Sequence, residues 1–338
     1  MTSPQQRIVY AGFATPRHSG GVHVMLQHVQ LLVAAGYRAC VWLPGPERPA
    51  WFDPDVPVIF GSTTEIGAGD LLVLPEVPLV PGIDPAPGAR KVIFNQNHFY
   101  TYAATTPASD EPYPGWSPAP MVWAVSTESR SVLAALLPHL EVALVPNPVD
   151  GELFRPRPSC GPRVAWFPRK RPRESSLLRR LLRADPRLDG VALCEMVDTP
   201  RSEVAQILGS TTVFVSLGHS ESFGLPVAEA LASQCLVAGY DGGGGRELFD
   251  APGAWPVAEQ RPLLLVDQIA DLLLAADDLA AVREQNRAWV LEHYSFDRTR
   301  SALLGAVETM LRREGRQAIA THPAASLELL GANFTAYA

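Results

Sequence analysis

Short apolar runs alternate along this chain with longer stretches in which apolar residues recur at helical spacing. Residues 7–13 (RIVYAGF) read as a buried strand and TPRHSGG as a glycine-containing loop. VHVMLQHVQLLVAAG reads as an apolar helix closing at Gly36, and RACVWLPG as a second strand stopped by Pro44 and Gly45. A strand, helix and strand in that order make a βαβ unit, which calls for a parallel sheet covered by helices. Apolar runs at 56–60, 70–77, 90–94 and 121–125 extend the sheet, STESRSVLAALLPHL predicts a helix opening at Ser126, and EVALVPNPVD predicts a last strand and turn.

The pattern breaks at 151–162 (GELFRPRPSCGP), which is proline-rich and aperiodic, and an interdomain linker is expected there. Strands are expected at 163–167, 190–196 and 212–217, with a helix at 174–184 and another from Pro226. The stretches 262–276, 278–293 and 297–314 read as helices, and 317–338 carries no assignable pattern. The expected domains are 1–155 and 156–316, followed by a 317–338 tail, with the last helix a candidate to pack back on the N-terminal domain. The fold class is therefore α/β, with two Rossmann-like domains.

Composition narrows the function. The 338 residues carry a formal charge of −7 with 26 arginines and only two lysines, Lys91 and Lys170. A pI near 5.6 argues against a general nucleic-acid binder. Cys40, Cys160, Cys194 and Cys235 are scattered without metal-ligand spacing, as reduced cytoplasmic thiols would be. No secretory leader and no membrane-spanning run are read, although peripheral membrane contact stays open.

The chemistry concentrates at 216–247, SLGHSESFGLPVAEALASQCLVAGYDGGGGRE. Glu221 is placed in a loop after a strand. Phe223, Gly224 and Leu225 offer backbone amides, Pro226 suits the first helical position, and Glu229 lies one turn on. A glycine-led helix N-terminus attracts anions, and carboxylates beside it suit sugar or ribose hydroxyls. The stretch WFPRKRPRES brings Arg169, Lys170, Arg171 and Arg173 directly after a strand, where open α/β sheets place their ligands.

Glu221 and Glu229, embedded in ESFGLPVAEALAS and followed by LVAGYDGGGGREL, resemble the E-x7-E signature of retaining family 4 glycosyltransferases of the GT-B fold. GFATPRHSGGVHVML, KVIFNQNHFYTY, AVSTESRSVLAAL, EVALVPNPVDGELFRP and EHYSFDRTRSALLGAVETML resemble other segments of that family in the same order. The resemblance implies two domains facing across a cleft, the first binding an acceptor and the second a nucleotide-diphosphate sugar, a UDP-sugar foremost. It implies a hexosyltransferase-like enzyme needing no metal or other cofactor. In it Glu229 holds the ribose and Glu221 the transferred sugar, while Phe223, Gly224 and Leu225 offer amides to the phosphates or sugar. Gly20 and Gly21 face the diphosphate from the first domain, and His98 lies near the reaction centre. Arg169, Lys170 and Arg173 are the cations for the leaving diphosphate, whose growing charge preorganised cations stabilise best. The implied acceptor is a glycan or a small metabolite.

The chain departs from that pattern in places. Pro168 precedes Arg169, and Glu174 stands where the family has a lysine, so Lys170 or Arg173 must substitute for it. The hinge-like P-N-G-V-D is here P-N-P-V-D at 146–150. These departures motivate a second reading, a catalytically silent relative that binds a nucleotide sugar. A third, an NAD-dependent dehydrogenase, lacks G-x-G-x-x-G after the first strand. Arg171, Arg179, Arg180, Arg183 and Arg187 read as a solvated helix face. His18, His23 and His28 scatter around a helix, and Asp53 and Asp55 read as a turn. The Gly242–Gly245 run fits either a turn or a loop near the donor. Tyr100, Tyr102, Tyr113 and Trp116 fit either an acceptor platform or loop packing.

Overall fold

The computed structural model describes residues 6–13, 15, 18–76, 83–102 and 111–322. The stretch 103–110 between Tyr102 and Tyr113 and residues 323–338 of the tail lie outside the described residues, as do position 14 and positions 16 and 17 of the first glycine loop.

Two compact units form, one from Met1–Pro146 with Thr299–Ala338 and the other from Asn147–Arg298. The first division falls within the P-N-P-V-D turn, between Pro146 and Asn147. The second falls within the first turn of the last helix, so the C-terminal stretch belongs to the first unit.

The first unit is built on β1 (Arg7–Ala11), α1 (Gly20–Ala34), β2 (Arg38–Leu43), β3 (Val58–Phe60), β4 (Thr63–Ile66), β5 (Leu71–Pro75), β6 (Arg90–Asn95), β7 (Met121–Ala124), α2 (Thr127–Leu136) and β8 (Val142–Leu144). Seven strands make a parallel sheet in the order β3-β2-β1-β5-β6-β7-β8. Strands covered on both faces need unbroken apolar runs, which is why every residue of β5 (LLVLP) is buried. Val9, Trp42, Leu72, Ile93, Val122 and Leu133 lie in its core. Lys91, fully buried in β6, is satisfied by the carbonyls of Ala86 and Ala89 and by Asp84 at 3.0 Å, so this lysine is structural. Tyr113 and Trp116 are core residues too, with Lys91 over the Trp116 ring, which removes them from an exposed acceptor platform.

The second unit comprises β9 (Arg163–Trp166), α3 (Pro172–Ala184), β10 (Ala192–Glu195), α4 (Arg201–Gly209), β11 (Val213–Glu221), α5 (Leu225–Ala232), β12 (Leu236–Gly243), β13 (Ala254–Pro256), α6 (Pro262–Leu274) and α7 (Ala280–Tyr294). Its five parallel strands run β10-β9-β11-β12-β13. Trp166, Val215, Leu236 and Ile269 lie in the core, and Trp166 satisfies its indole N–H by donating to Ser175 at 2.7 Å. β11 runs longer than its apolar stretch predicts, so Glu221 ends a strand instead of following one.

α8 (Phe296–Leu311) and β14 (Ala318–Thr321) complete the chain. β14 pairs antiparallel with β4, from Ala318↔Ile66 to Thr321↔Thr63, and gives structure to the start of the unpatterned tail. His322 follows, its Nε2 2.9 Å from the Gly12 carbonyl and its ring edge-on to Trp42 at 4.8 Å.

Candidate active site

In an open parallel sheet, ligands collect beyond the carboxyl ends of the strands where the strand order reverses. In the second unit that point lies between β9 and β11. Lys170 follows β9, Glu221 ends β11, and the two meet across this point, Nζ to Oε1 at 2.8 Å. Lys170 also donates to the His219 carbonyl at 3.0 Å. Both side chains stay partly open to solvent, at 27% and 22% exposure, so the pair is within reach of a ligand.

The turn beyond β11 is shaped by glycines. Gly224 has φ +91° at the mouth of α5, a backbone region where a side chain is strained. Leu225 and Pro226 open the helix, its first turn has no acidic residue, and its leading amide dipoles are available to an anion. The Phe223 side chain is buried and edge-on to Tyr294 at 4.9 Å, which fixes the backbone on either side of it. The Gly242–Gly245 run is the wall behind Glu221. Gly244 donates its amide to the Glu221 carbonyl at 2.8 Å, and a Cβ on Gly242 would stand 2.7 Å from Glu221 Cγ.

Glu229, one turn into α5, is 6% exposed and pairs through Oε1 with Arg201 at 2.5 Å. Burial raises its carboxyl above the ordinary glutamate value, against the opposing pull of Arg201. Arg201 in turn lies over the Phe154 ring at 4.7 Å. The sequence reading missed Arg201, because its place on α4 is remote in the chain from both Phe154 and Glu229.

Arg169 and Arg173 are exposed beside Lys170, and Arg173 lies in the first turn of α3. Arg171 corrects the expectation of a solvated helix face. Its side chain is only 9% exposed and donates to the Gly218 carbonyl at 3.1 Å, Glu174 at 2.9 Å and Glu259 at 2.7 Å, with the Tyr240 ring beneath it. It fastens the start of α3 to the end of β11. Arg187, from the same expected face, bridges Asp185 and Asp267, and Arg179 pairs with Glu195.

In the first unit the strand order reverses between β1 and β5. Gly20 and Gly21 form the first turn of α1 rather than the loop before it, and that turn also lacks an acidic residue. A Cβ on Gly21 would stand 3.3 Å from the Gln96 amide group, so this helix start packs against the segment after β6. The Gln96 backbone amide donates to Glu76 Oε2 at 3.1 Å. Glu76, which the sequence reading passed over, is a 5% exposed carboxyl just beyond β5, and burial pushes it up to about 7. His98 lies on a short 3-10 turn opened by Asn97. It is buried, and burial lowers its pKa against the charge of Glu128, leaving a neutral ring at pH 7.

Among the other anticipated features, Asp53 takes hydrogen bonds from Gln30 and from the Asp55 amide as a turn residue. His28 is a core residue beside Tyr10, lowered to about 3 by burial. No three His, Cys, Asp or Glu side chains among the described residues could together hold a metal ion, and no helix there is long and apolar enough to cross a membrane.

Comparison with known proteins gives a family match, a curated relative and structural neighbours. Residues 196–289, from the end of β10 through most of α7, match the family model "Glycosyl transferases group 1". The alpha-1,6-glucosyltransferase of Actinobacillus pleuropneumoniae serotype 7 (strain AP76) is 26% identical over 252 residues, which are 69% of this chain and 72% of that one. A sucrose-phosphate synthase from Thermosynechococcus elongatus superposes with a TM-score of 0.65 at 14% identity, over 91% of this chain and 99% of the other. Anabaena HepE in complex with UDP-glucose superposes with a TM-score of 0.64 at 14% identity, over 90% and 99%. With a second unit that matches the group 1 glycosyltransferase model over 196–289 and with the GT-B fold, the protein is a glycosyltransferase.

Proposed function

We propose that the protein is a retaining, family 4 type glycosyltransferase that moves a hexosyl group from a UDP-sugar to an acceptor hydroxyl. The observation that carries this reading is the Lys170–Glu221 pair at the strand-order reversal of the second unit, beside the α5 N-terminus and Glu229. Glu229 takes the ribose, and the leading amides of α5 take the phosphates or sugar. Glu221 turns from Lys170 to a hydroxyl of the transferred sugar. Lys170 is then released to the leaving diphosphate, where Arg169 and Arg173 add charge, and it stands in for the lysine that Glu174 displaces. Cations already in place stabilise the diphosphate as its charge grows, so the transfer needs no metal. The diphosphate takes up the acceptor's proton on the face it leaves. No protein nucleophile enters the step.

A glucosyl donor is supported by the glucosyltransferase relative and by the UDP-glucose bound to HepE. Gly20, Gly21 and His98 serve the first unit's side of the reaction, where the acceptor, a glycan or small metabolite, is bound. The four cysteines are free, which fits a reducing cytoplasm.

A panel of nucleotide sugars tests this reading, with heat protection and release of free nucleotide as readouts. UDP-glucose is expected to give both. Lys170→Ala should lower kcat by about a hundredfold, as loss of a preorganised transition-state contact does, and leave heat protection by UDP largely intact. Heat protection without nucleotide release, with any acceptor offered, would instead identify a silent binding relative.

A further inference from the structure

Glu229 is a buried carboxyl that the described residues grip at one oxygen. Arg201 reaches Oε1 at 2.5 Å, whereas Oε2 accepts from no described residue. Arg201 is itself held in place, with its guanidinium over Phe154 at 4.7 Å and 19% of the side chain exposed. A stacked guanidinium pinned at the first turn of α4 fixes a carboxylate in direction as well as charge.

We propose that Arg201 is the positioning residue of the donor site, holding Glu229 by Oε1 so that Oε2 is presented to the ribose hydroxyls of the nucleotide. This rests on the donor reading above and adds to it a residue that no family match assigns. Arg201 does not touch the reacting atoms. Its role is to keep the ribose acceptor ionised and aimed.

The other charges near Glu229 leave this task to Arg201. Asp150, in the P-N-P-V-D turn ahead of β9, opposes ionisation of Glu229. Arg287 of α7 is held by the carbonyls of Gly151, Phe154 and Ala232. β11 and β12, also packed on α5, contribute Glu221, already paired with Lys170, and Asp241, which accepts from the Gly243 amide. Burial alone would favour protonated Glu229, and among the described residues Arg201 opposes it by direct contact.

The test is UDP affinity between pH 5 and 9 by calorimetry on the full chain. In the wild type, affinity falls on the acid side as Glu229 takes up a proton. Arg201→Met is expected to weaken UDP binding by about ten- to a hundredfold near pH 7, the range for losing a charge-supported hydrogen bond. It should also move the acid midpoint upward by roughly one pH unit or more. Transfer should show the loss in donor KM far more than in kcat, and Arg201→Lys should restore most of the affinity. Arg201→Gln, which keeps a donor to Oε1 without the charge, reads the same midpoint shift if Arg201→Met does not fold. A purely structural stack on Phe154 would leave the midpoint in place, and that result overturns the proposal. Glu229→Gln separates the two levels of inference. If it leaves UDP binding unchanged, the ribose reading fails and the role of Arg201 fails with it. If it weakens UDP binding while the Arg201 variants bind as the wild type does, only the proposal about Arg201 falls.

Discussion

Glu76 sets a pH dependence on the first unit. Its carboxyl rises from the ordinary 4.5 to about 7 on folding because burial outweighs the amide hydrogen bonds it accepts from Gln96 and Asn97. A folded pKa above the unfolded one favours the protonated state. The stabilisation is therefore complete below about pH 4.5 and is lost as pH rises through about 7. That difference corresponds to roughly 3 kcal/mol. Glu76→Gln stays neutral throughout. Relative to wild type, its melting temperature should therefore climb by roughly 5–10 °C between pH 4.5 and 8, read by calorimetry on the transition of the first unit. A constant difference across that range would show that Glu76 does not titrate as its burial demands. Glu221 and Glu229 were legible in the sequence because their spacing and the glycine between them make a local pattern. Glu76 was not, since an acid near the end of the run DLLVLPEV carries no signal of its own, and the amides it meets, those of Gln96 and Asn97, come from the segment after β6. The partners Lys170 and Arg201 are likewise fixed by which strands and helices are neighbours, which spacing along the chain does not encode.

At the level of elements, the βαβ rhythm announced both sheets, since parallel strands need apolar runs and crossover helices. What it left out was the use of each helix start. Arg171 opens α3 in a charged stretch that reads as a solvated face, yet its acceptors come from β11, α3 and the turn before α6, so only the folded sheet distinguishes it from Arg173. The Gly242–Gly245 run read equally as a turn or a donor loop, and the structure makes it the backing of Glu221. A Cβ on Gly244 would collide with the Glu221 carbonyl and stand 2.5 Å from Ser222 Cα. Gly244→Ala must therefore displace the strand end that carries Glu221. Transfer should fall by about ten- to a hundredfold, as misplacement of roughly 1 Å does, with about 1–3 kcal/mol of stability lost to overpacking. Gly305→Ala is the control, because a Cβ there meets nothing within 4 Å. In the interior of α8 it should stabilise by up to about 1 kcal/mol and leave transfer unchanged. Equal activity in both variants would show that the glycine wall does not set the position of Glu221.

At the scale of the whole molecule, the chain leaves the first unit at Pro146 and returns to it at Thr299, so the segments on either side of the second unit are parts of one body. The return is secured well beyond α8. Arg90 donates to the Arg313 carbonyl at 2.5 Å, the Arg316 amide donates to the Gly88 carbonyl at 2.7 Å, β14 pairs with β4, and His322 reaches Gly12 at the end of β1. None of these contacts involves the second unit. Two units with separate cores are expected to unfold in separable steps. Deleting 316–338 should lower the melting transition of the first unit while leaving that of the second in place. The rise in the second transition caused by UDP should persist, because a ligand raises only the unit whose native state it binds. His322→Ala should give a smaller shift of the same transition. Scanning calorimetry with and without UDP reads all of these changes. Equal falls in both transitions would mean that the C-terminal segment supports the two units together, and loss of the UDP effect would place the nucleotide outside the second unit.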